Sequence, residues 1–228
     1  MKCGVKMANK KKKTFAVIGL GRFGLSVVEE LIRSNREVLV LDRNQDRISK
    51  VAKIATHTVV LDTSDESALK EVGIQSIDHV IVAIGKDIED SIMTTLILKE
   101  LGVKQITVKV QNHYHEKVVK TLGADEVIQP ERVTGKRLAH RILSDNMLEF
   151  YDLSDNHSFV SIKVPPRIAD TTVANLDLRD KFRVNLVAIK RDGDVIIPHP
   201  EEVFEASDEL LIVGSNDDLN KFTAWCEK

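Results

Sequence analysis

A glycine-rich segment near the start of the chain, residues 19–24 (GLGRFG), restricts the fold more than any other feature. It follows an apolar run typical of a buried strand and precedes a stretch with apolar residues at helical spacing. A second apolar run then ends at the acidic residue Asp42. Glycines at this spacing occur by chance, but the strand, turn, helix and acidic residue together indicate a nucleotide-binding βαβ unit.

Each residue type in this unit has a geometric reason to be there. Gly19 permits the tight turn, Gly21 lets the backbone approach a pyrophosphate, and Gly24 lets the helix pack closely on the sheet. The helix N-terminus presents N–H groups to phosphates, and Arg22 is placed to reach them, although an ordinary surface arginine would look the same. Asp42 suits the two ribose hydroxyls and repels a 2′-phosphate, which disfavours NADP. A fold of this type with an inactive pocket would show the same pattern.

Short apolar runs alternate with longer amphipathic stretches over the first part of the chain. The runs predict strands at 14–19, 37–42, 56–61, 79–83, 105–110 and 126–128. The stretches between them predict helices at 22–34, 44–53, 64–72, 87–101 and 113–122. Strands that are apolar throughout are typical of a parallel sheet buried on both faces. The alternation therefore predicts an α/β fold, a doubly wound parallel sheet of the Rossmann type.

Two further strand ends belong to the ligand-binding edge of this sheet. Asp62 and Thr63 follow the third strand, and Ala83, Ile84 and Gly85 follow the fourth. Right-handed crossovers place the carboxyl ends of parallel strands at one edge, so we expect the adenine half of a nucleotide near these residues. An equally good interpretation is that Asp62 is simply part of the N-terminal turn of the next helix and does not bind a ligand.

The pattern changes after Pro130. Residues 133–143 predict one more amphipathic helix, with an apolar stripe of Leu138, Ile142 and Leu143. Shorter strands at 159–164, 184–190, 194–197 and 209–213 and a terminal helix at 217–226 then predict a small α+β lobe. A lobe of about 80 residues buries little surface alone, which favours an oligomeric partner. The predicted domains are a basic arm (1–13), a nucleotide-binding domain with its crossover helix (14–145) and a C-terminal subdomain (146–228).

Composition excludes several classes of function. The net charge of −2 gives no basis for binding nucleic acid, and we interpret the lysines at 10–13 as a solvated arm rather than a nucleic-acid tail. The two cysteines, Cys3 and Cys226, lack metal-ligand spacing and favour a reducing, cytoplasmic location. No apolar run approaches the roughly 18 residues that a membrane span requires.

The sequence lacks an evident catalytic set. A dehydrogenase needs a substrate domain and a proton-transfer residue near its nicotinamide, and the second lobe offers neither. His113, Tyr114 and His115 could form a catalytic cluster, but a solvent-facing helix start is the simpler interpretation. A nucleotide site without catalytic residues predicts a sensor rather than an enzyme. An NAD(H)-responsive sensor and a small NAD-dependent oxidoreductase are the alternatives.

Three segments taken together are much more specific than the glycines alone. They are the glycine motif with Asp42, residues 80–85 (VIVAIG) and residues 109–131 (KVQNHYHEKVVKTLGADEVIQPE). Residues 143–145 (LSD) and 151–155 (YDLSD) join the two lobes. These segments resemble the RCK domain of bacterial Trk and Ktr potassium-uptake regulators, and the Ktr-type cytosolic gating subunit in particular. The likeness extends over most of the chain beyond the lysine-rich start.

The resemblance implies an assembly and a switching ligand. Homodimers would form an octameric ring that docks on a separate integral-membrane potassium-transporting subunit at the inner face of the membrane. ATP and ADP would compete for the pocket and favour different ring shapes. By position, Arg22 would bind phosphate, Asp42 the ribose with Asn44 beside it, and Glu131 would help place Mg²⁺ or another divalent cation between facing subunits.

The resemblance also implies that cyclic di-AMP binds the C-terminal subdomain and inhibits uptake. The candidate residues are Arg179, Asn185, Pro198 and His199, which without the resemblance are ordinary turn and strand-end residues. The complete set of candidate nucleotide-site residues is Gly19, Gly21, Arg22, Phe23, Gly24, Asp42, Arg43, Asn44, Asp62, Thr63, Ala83, Ile84, Gly85, Lys109 and Glu131.

Overall fold

The first six strands form one parallel sheet in the order β3-β2-β1-β4-β5-β6. They are β1 (Phe15–Ile18), β2 (Val38–Asp42), β3 (His57–Val60), β4 (His79–Val82), β5 (Ile106–Lys109) and β6 (Glu126–Ile128). The helices between them are α1 (Arg22–Arg33), α2 (Gln45–Val51), α3 (Glu66–Glu71), α4 (Ile88–Glu100) and α5 (His113–Thr121). This strand order is that of the Rossmann fold, so the predicted doubly wound architecture is confirmed.

Two apolar layers cover the two faces of this sheet. On one face, Val17 and Val40 of the strands pack with Val28 of α1 and Ile48 of α2. On the other face, alternate residues of the same strands pack with α3, α4 and α5; they include Ile18 and Leu41, with Leu69, Leu98 and Val119 from the helices. Successive strand residues point to opposite faces, which is why strands buried on both sides read as continuous apolar runs.

The computed structural model describes residues 13–143 and 146–226, and these fall into two compact units that divide after Pro130. The predicted basic arm, apart from Lys13, and part of the predicted joining segment lie outside the described residues. Among the described helices, none is long and apolar enough to cross a membrane.

The second unit contains an antiparallel sheet in the order β10-β9-β11-β8-β7. Its elements are α6 (Pro130–Leu143), β7 (Met147–Asp152), β8 (His157–Lys163), α7 (Val173–Leu176), α8 (Leu178–Phe182), β9 (Asn185–Arg191), β10 (Asp194–Ile196), β11 (Glu209–Ser215) and α9 (Asn216–Cys226). Phe204, Phe222, Ile162, Ile189 and Leu210 are fully buried in its core. The predicted α+β lobe is thus confirmed, with one strand, β7, and two short helices that the sequence did not indicate.

Helix α6 contributes no buried residue to the described structure. Its contacts with β7 are polar and aromatic: Lys136 Nζ lies 2.7 Å from an Asp152 oxygen, and the ring of His140 stacks on that of Phe150 with centroids 3.9 Å apart. The predicted apolar stripe of Leu138, Ile142 and Leu143 is exposed. These contacts group residues 131–143 with the second unit, whereas the sequence assigned this helix to the nucleotide-binding domain.

Candidate functional site

The turn between β1 and α1 holds its three glycines in different environments. Gly19 has a φ of +94°, and a Cβ added there would lie 3.1 Å from the carbonyl carbon and oxygen of Ala83. A Cβ added at Gly24 would lie well inside 3.0 Å of the Gly19 carbonyl oxygen. At Gly21, in contrast, an added Cβ would meet no described atom within 4 Å. Packing therefore requires glycine at positions 19 and 24, whereas Gly21 borders open space.

The N-terminus of α1 has no side-chain cap. Its N-cap residue is Gly21, and no acidic residue occupies its first turn. The helices α2 to α5 each have an N-cap side chain that accepts a backbone N–H: Asn44, Asp65, Asp87 and Asn112. The first N–H groups of α1 and the positive end of its dipole therefore remain available to an anion. Arg22 is exposed and forms no ion pair with a described residue, and Phe23 packs against the core on the α1 side.

Asp42, at the end of β2, is only 4% exposed because the protein's own backbone surrounds its carboxylate. Its Oδ2 accepts a 2.6 Å hydrogen bond from the Leu20 N–H, and its Oδ1 accepts one of 2.8 Å from the Asn44 N–H. Arg47 Nη1 lies 3.4 Å from Oδ2, while the side chain of Asn44 caps α2. Arg43 forms a 2.9 Å salt bridge with an aspartate of α4. Asp42 thus links the turns after β1 and β2, a structural role that the sequence did not indicate.

Asp62 lies in the turn after β3 and does not cap the next helix. Asp65 is the residue that caps α3, by accepting the backbone N–H groups of its first turn. Asp62 Oδ1 instead accepts the Ser64 N–H at 3.0 Å and the Ser64 hydroxyl at 2.7 Å, and these hydrogen bonds lower the pKa of Asp62. Thr63 is buried, with its Oγ1 3.0 Å from Oγ1 of Thr94 in α4. The ionised carboxylate of Asp62 stays at the exposed sheet edge, where we expected the adenine half of a nucleotide.

The residues after β4 and β5 meet at the same edge of the sheet. Ala83 is buried beneath the glycine turn, and Ile84 packs in the core. A Cβ added at Gly85 would lie 3.6 Å from Lys109 Nζ, and the Gly85 carbonyl accepts a 2.9 Å hydrogen bond from Gln111 Nε2. Lys109 is only 9% exposed. The structure therefore brings Lys109 close to the turn after β4.

The three residues His113, Tyr114 and His115 do not converge into a catalytic cluster. His113 and Tyr114 are exposed, as expected for a solvent-facing helix start, but His115 is 2% exposed, so the expectation was wrong for that residue. Successive helix positions differ by about 100° in direction, which turns His115 inward. Its Nδ1 accepts the Gln111 N–H at 3.4 Å, its Nε2 has no partner among the described residues, and burial lowers the pKa of His115.

In the second unit, the residues expected to bind cyclic di-AMP form two separate pairs. Arg179 Nε donates a 2.9 Å hydrogen bond to Asn185 Oδ1. Pro198 and His199 lie between β10 and β11, where the His199 carbonyl accepts the Glu202 N–H at 3.0 Å. No hydrogen bond or ring contact within the described ranges joins the first pair to the second.

Arg191 organises the segment that follows this second pair. Its guanidinium makes two 2.8 Å hydrogen bonds to the fully buried carboxylate of Asp208, and it also contacts Glu202 at 3.2 Å and the Val203 carbonyl at 2.9 Å. Burial raises the pKa of Asp208, but the hydrogen bonds and charge of Arg191 outweigh burial and hold it below its usual range. No motif in the sequence connects these residues, because they meet only in the folded sheet.

Glu131 is the second residue of α6 and belongs to the second unit. Over residues 13–143 and 146–226, no three His, Cys, Asp or Glu side chains group as a metal site. One carboxylate does not make a cation site, so a divalent ion at Glu131 would need ligands from phosphates, water or another subunit.

Comparison with known proteins identifies the family. The TrkA-N domain model matches residues 15–130, and the TrkA-C domain model matches residues 158–227. Ktr system potassium uptake protein C of Bacillus subtilis (strain 168) is 50% identical over 212 residues, which cover 92% of this chain and 96% of that protein. Ktr system potassium uptake protein A of the same organism is 41% identical, with coverage of 95% and 98%, and that of Vibrio alginolyticus is 36% identical, with coverage of 91% and 94%.

A solved structure, the GsuK RCK domain, has the same fold, with a TM-score of 0.69 at 16% identity. The match covers 97% of this chain and 49% of the GsuK chain, so the chain spans about half the length of that protein. The sequence segments, the strand order and both domain models agree. The chain therefore belongs to the family of Ktr- and Trk-type potassium-uptake proteins with an RCK fold.

Proposed function

We propose that the chain is the regulatory subunit of a potassium-uptake system and that ATP and ADP bind at the β1–α1 turn to switch it. The observation that carries this proposal is the uncapped N-terminus of α1, which borders open space at Gly21 and lies one strand away from Asp42. N–H groups, a helix dipole and a ribose-binding carboxylate are the elements that a nucleotide diphosphate or triphosphate needs.

Discrimination between ATP and ADP rests on one additional phosphate. A ligand shifts a conformational equilibrium only by its difference in affinity for the two states. Arg22 is exposed at the start of α1, and its planar guanidinium matches phosphate oxygens. Lys109 adds a second cation near the turn after β4. Glu131 would help place Mg²⁺ or another divalent cation between facing subunits, as the family resemblance implies.

The assembly is the second part of the proposal. We infer a homodimer that builds an octameric ring and docks on an integral-membrane potassium-transporting subunit at the cytoplasmic side. Helix α6 supports self-association, because it exposes Val133, Leu138, Ile142 and Leu143 to between 47% and 81%. Apolar groups in such a row are stabilised when a second subunit covers them.

Inhibition by cyclic di-AMP is the third part. Arg179 and Asn185 are hydrogen-bonded to each other, so a single small surface presents a guanidinium to a phosphate and an amide to a base. We expect Arg179→Ala to weaken cyclic di-AMP binding at least tenfold while ATP affinity stays unchanged. Equal cyclic di-AMP affinity in the variant would refute this assignment.

The decisive experiment is calorimetric titration of the ligand-free chain with ATP, ADP, NADH and NADPH, with Mg²⁺ present. We expect ATP and ADP to bind much more tightly than NADH. We also expect the ratio of ATP affinity to ADP affinity to fall in Arg22→Ala. Each tenfold change in affinity corresponds to about 1.4 kcal/mol, so the difference is measurable. Arg33→Ala is the matched control, because Arg33 lies in the last turn of α1 and pairs with Glu30.

Two results would contradict the proposal. Tight NADH binding with weak ATP binding would make the chain an NAD(H) sensor or a small oxidoreductase, since Asp42 suits the ribose of either ligand. An unchanged ATP-to-ADP ratio in Arg22→Ala would remove Arg22 from the phosphate site.

A further inference from the structure

Helix α4 holds the turn after β3 through a buried threonine. Thr94 is fully buried, and its hydroxyl donates a 3.2 Å hydrogen bond to the Thr63 carbonyl while its oxygen lies 3.0 Å from Thr63 Oγ1. A hydroxyl has one proton, so when Thr94 donates to the carbonyl, Thr63 must be the donor in the hydroxyl pair. The two side chains therefore fix each other's orientation and the path of the backbone between them.

The same face of α4 also holds the turn after β2. Asp90, one helical turn before Thr94, forms the 2.9 Å salt bridge with Arg43. Asp90 is itself placed by the N-cap of the helix, because its N–H donates to Asp87 Oδ1 at 3.2 Å. One helix face thus anchors the turns that end two adjacent strands, β2 and β3.

These two turns are the ones that a bound adenosine would contact. If the phosphates lie at the start of α1 and the ribose lies at Asp42, the nucleotide runs from β1 across β2, and its base lies toward β3. The turn after β3 presents the ionised carboxylate of Asp62, with Oδ1 occupied by Ser64. Asp62 Oδ2 makes no hydrogen bond to a described residue, and such an acceptor suits the exocyclic amino group of adenine.

We infer that Thr94 is a positioning residue for the base end of the nucleotide, acting through Thr63 on the turn that carries Asp62. The inference rests on the proposed function, namely that the pocket binds adenine nucleotides. Thr94 itself is buried and does not touch the ligand. Its loss should therefore affect ligands that have a base and spare ligands that have phosphates alone.

The test compares ATP, ADP and inorganic tripolyphosphate on the full chain by calorimetry. Thr94→Val keeps the shape and removes the hydroxyl, and Thr94→Ser keeps the hydroxyl. We expect Thr94→Val to weaken the binding of ATP and of ADP by about the same factor, roughly tenfold, because it removes the buried hydrogen bonds that fix a binding turn. Tripolyphosphate affinity should stay within about twofold, and Thr94→Ser should restore most of the ATP affinity.

Thr95→Val is the matched control for loss of a buried hydroxyl. Thr95 is also fully buried in α4, but its hydroxyl donates to the Ser91 carbonyl of the same helix at 2.7 Å. Its removal should lower stability without changing nucleotide affinity. Thr63→Val should reproduce part of the effect of Thr94→Val, because it removes the hydroxyl pair but keeps the hydrogen bond from Thr94 to the Thr63 carbonyl. The double variant should lose no more affinity than Thr94→Val alone, because Thr94→Val already removes both contacts.

The outcomes separate the inference from the function on which it rests. Wild-type protein that binds no adenine nucleotide would refute the proposed function and the inference with it. Wild-type protein that binds ATP, with Thr94→Val binding it equally well, would refute the inference alone. An equal loss of ATP and tripolyphosphate affinity in Thr94→Val would show a general structural effect and would also refute it.

Discussion

Replacing Gly24 by alanine places a methyl group against the backbone of the turn that precedes α1. The added Cβ would lie well inside 3.0 Å of the Gly19 carbonyl oxygen, 3.1 Å from the Gly19 carbonyl carbon and 3.2 Å from Ala83 Cβ. Two of these atoms are backbone and cannot rotate away, so helix and turn must move apart. Overpacking of this kind costs about 1–3 kcal/mol, against a gain of roughly 1 kcal/mol in helix propensity.

We place the net loss of unfolding free energy for Gly24→Ala at about 2 kcal/mol, because the closest contact is the least adjustable one. For a unit of this size, 2 kcal/mol lowers the Tm by roughly 8 °C. Gly21→Ala is the matched comparison: Gly21 has a φ of −71°, which alanine adopts freely, and its Cβ would meet no described atom within 4 Å. We expect a stability change under about 1 kcal/mol and a loss of ATP affinity of tenfold or more.

Urea unfolding followed by far-UV circular dichroism, together with calorimetric titration of ATP, measures both quantities. Gly24→Ala that is as stable as the wild type would refute the packing argument. Gly21→Ala that retains full ATP affinity would show that the open space beside Gly21 is not the phosphate site.

Two other predictions concern pH and the core of the second unit. Burial lowers the pKa of His115 below its unfolded value of 6.5, so the unfolded state binds more protons as the pH falls below 6.5 and the first unit loses stability there. We expect His115→Gln to reduce this loss of stability, measured by urea unfolding at a series of pH values. Asp208, held below its usual pKa by Arg191, stabilises the second unit above about pH 4 and loses this effect as the pH falls through the lowered value. Asp208→Asn should cost about 2 kcal/mol near pH 7, measured by urea unfolding with the fluorescence of Trp225, the chain's single tryptophan.

The order of elements in the first unit could be predicted because each strand carries its own signal. Strands buried on both faces are apolar throughout, and the helices between them repeat apolar residues every three or four positions. The ends were less accurate, since the run at 14–19 forms a strand only over Phe15–Ile18. The sequence lacked such a signal for β7, whose pairing with β8 is interrupted between Met147 and Glu149. A bulge breaks the alternation that identifies a half-buried strand.

The need for glycine at positions 19 and 24 could be predicted from the sequence because it depends on local backbone geometry, whereas the hydrogen bonds that Asp42 accepts from Leu20 and Asn44 could not. The contacts of Thr94 with Thr63 could not, because a buried threonine in a helix has no periodic or motif signature and its partner lies 31 positions away. His115 illustrates the same limit. The two residues before it, His113 and Tyr114, are exposed, and the direction of its own side chain on α5 buries His115.

Asp42 has a structural role in addition to the ribose contact proposed for it, and this affects how substitutions in the pocket of related chains should be interpreted. Asp42 ties the backbone of Leu20 to that of Asn44, so folding alone retains an acid at this position even after a nucleotide ceases to bind. The same argument applies to Gly24, because any side chain there collides with the turn. Gly21 is different: nothing in the described protein requires it to be glycine. Under the proposed function, we expect a relative that keeps Gly24 and Asp42 but replaces Gly21 to keep its fold and lose nucleotide binding, so a change at position 21 would report that loss.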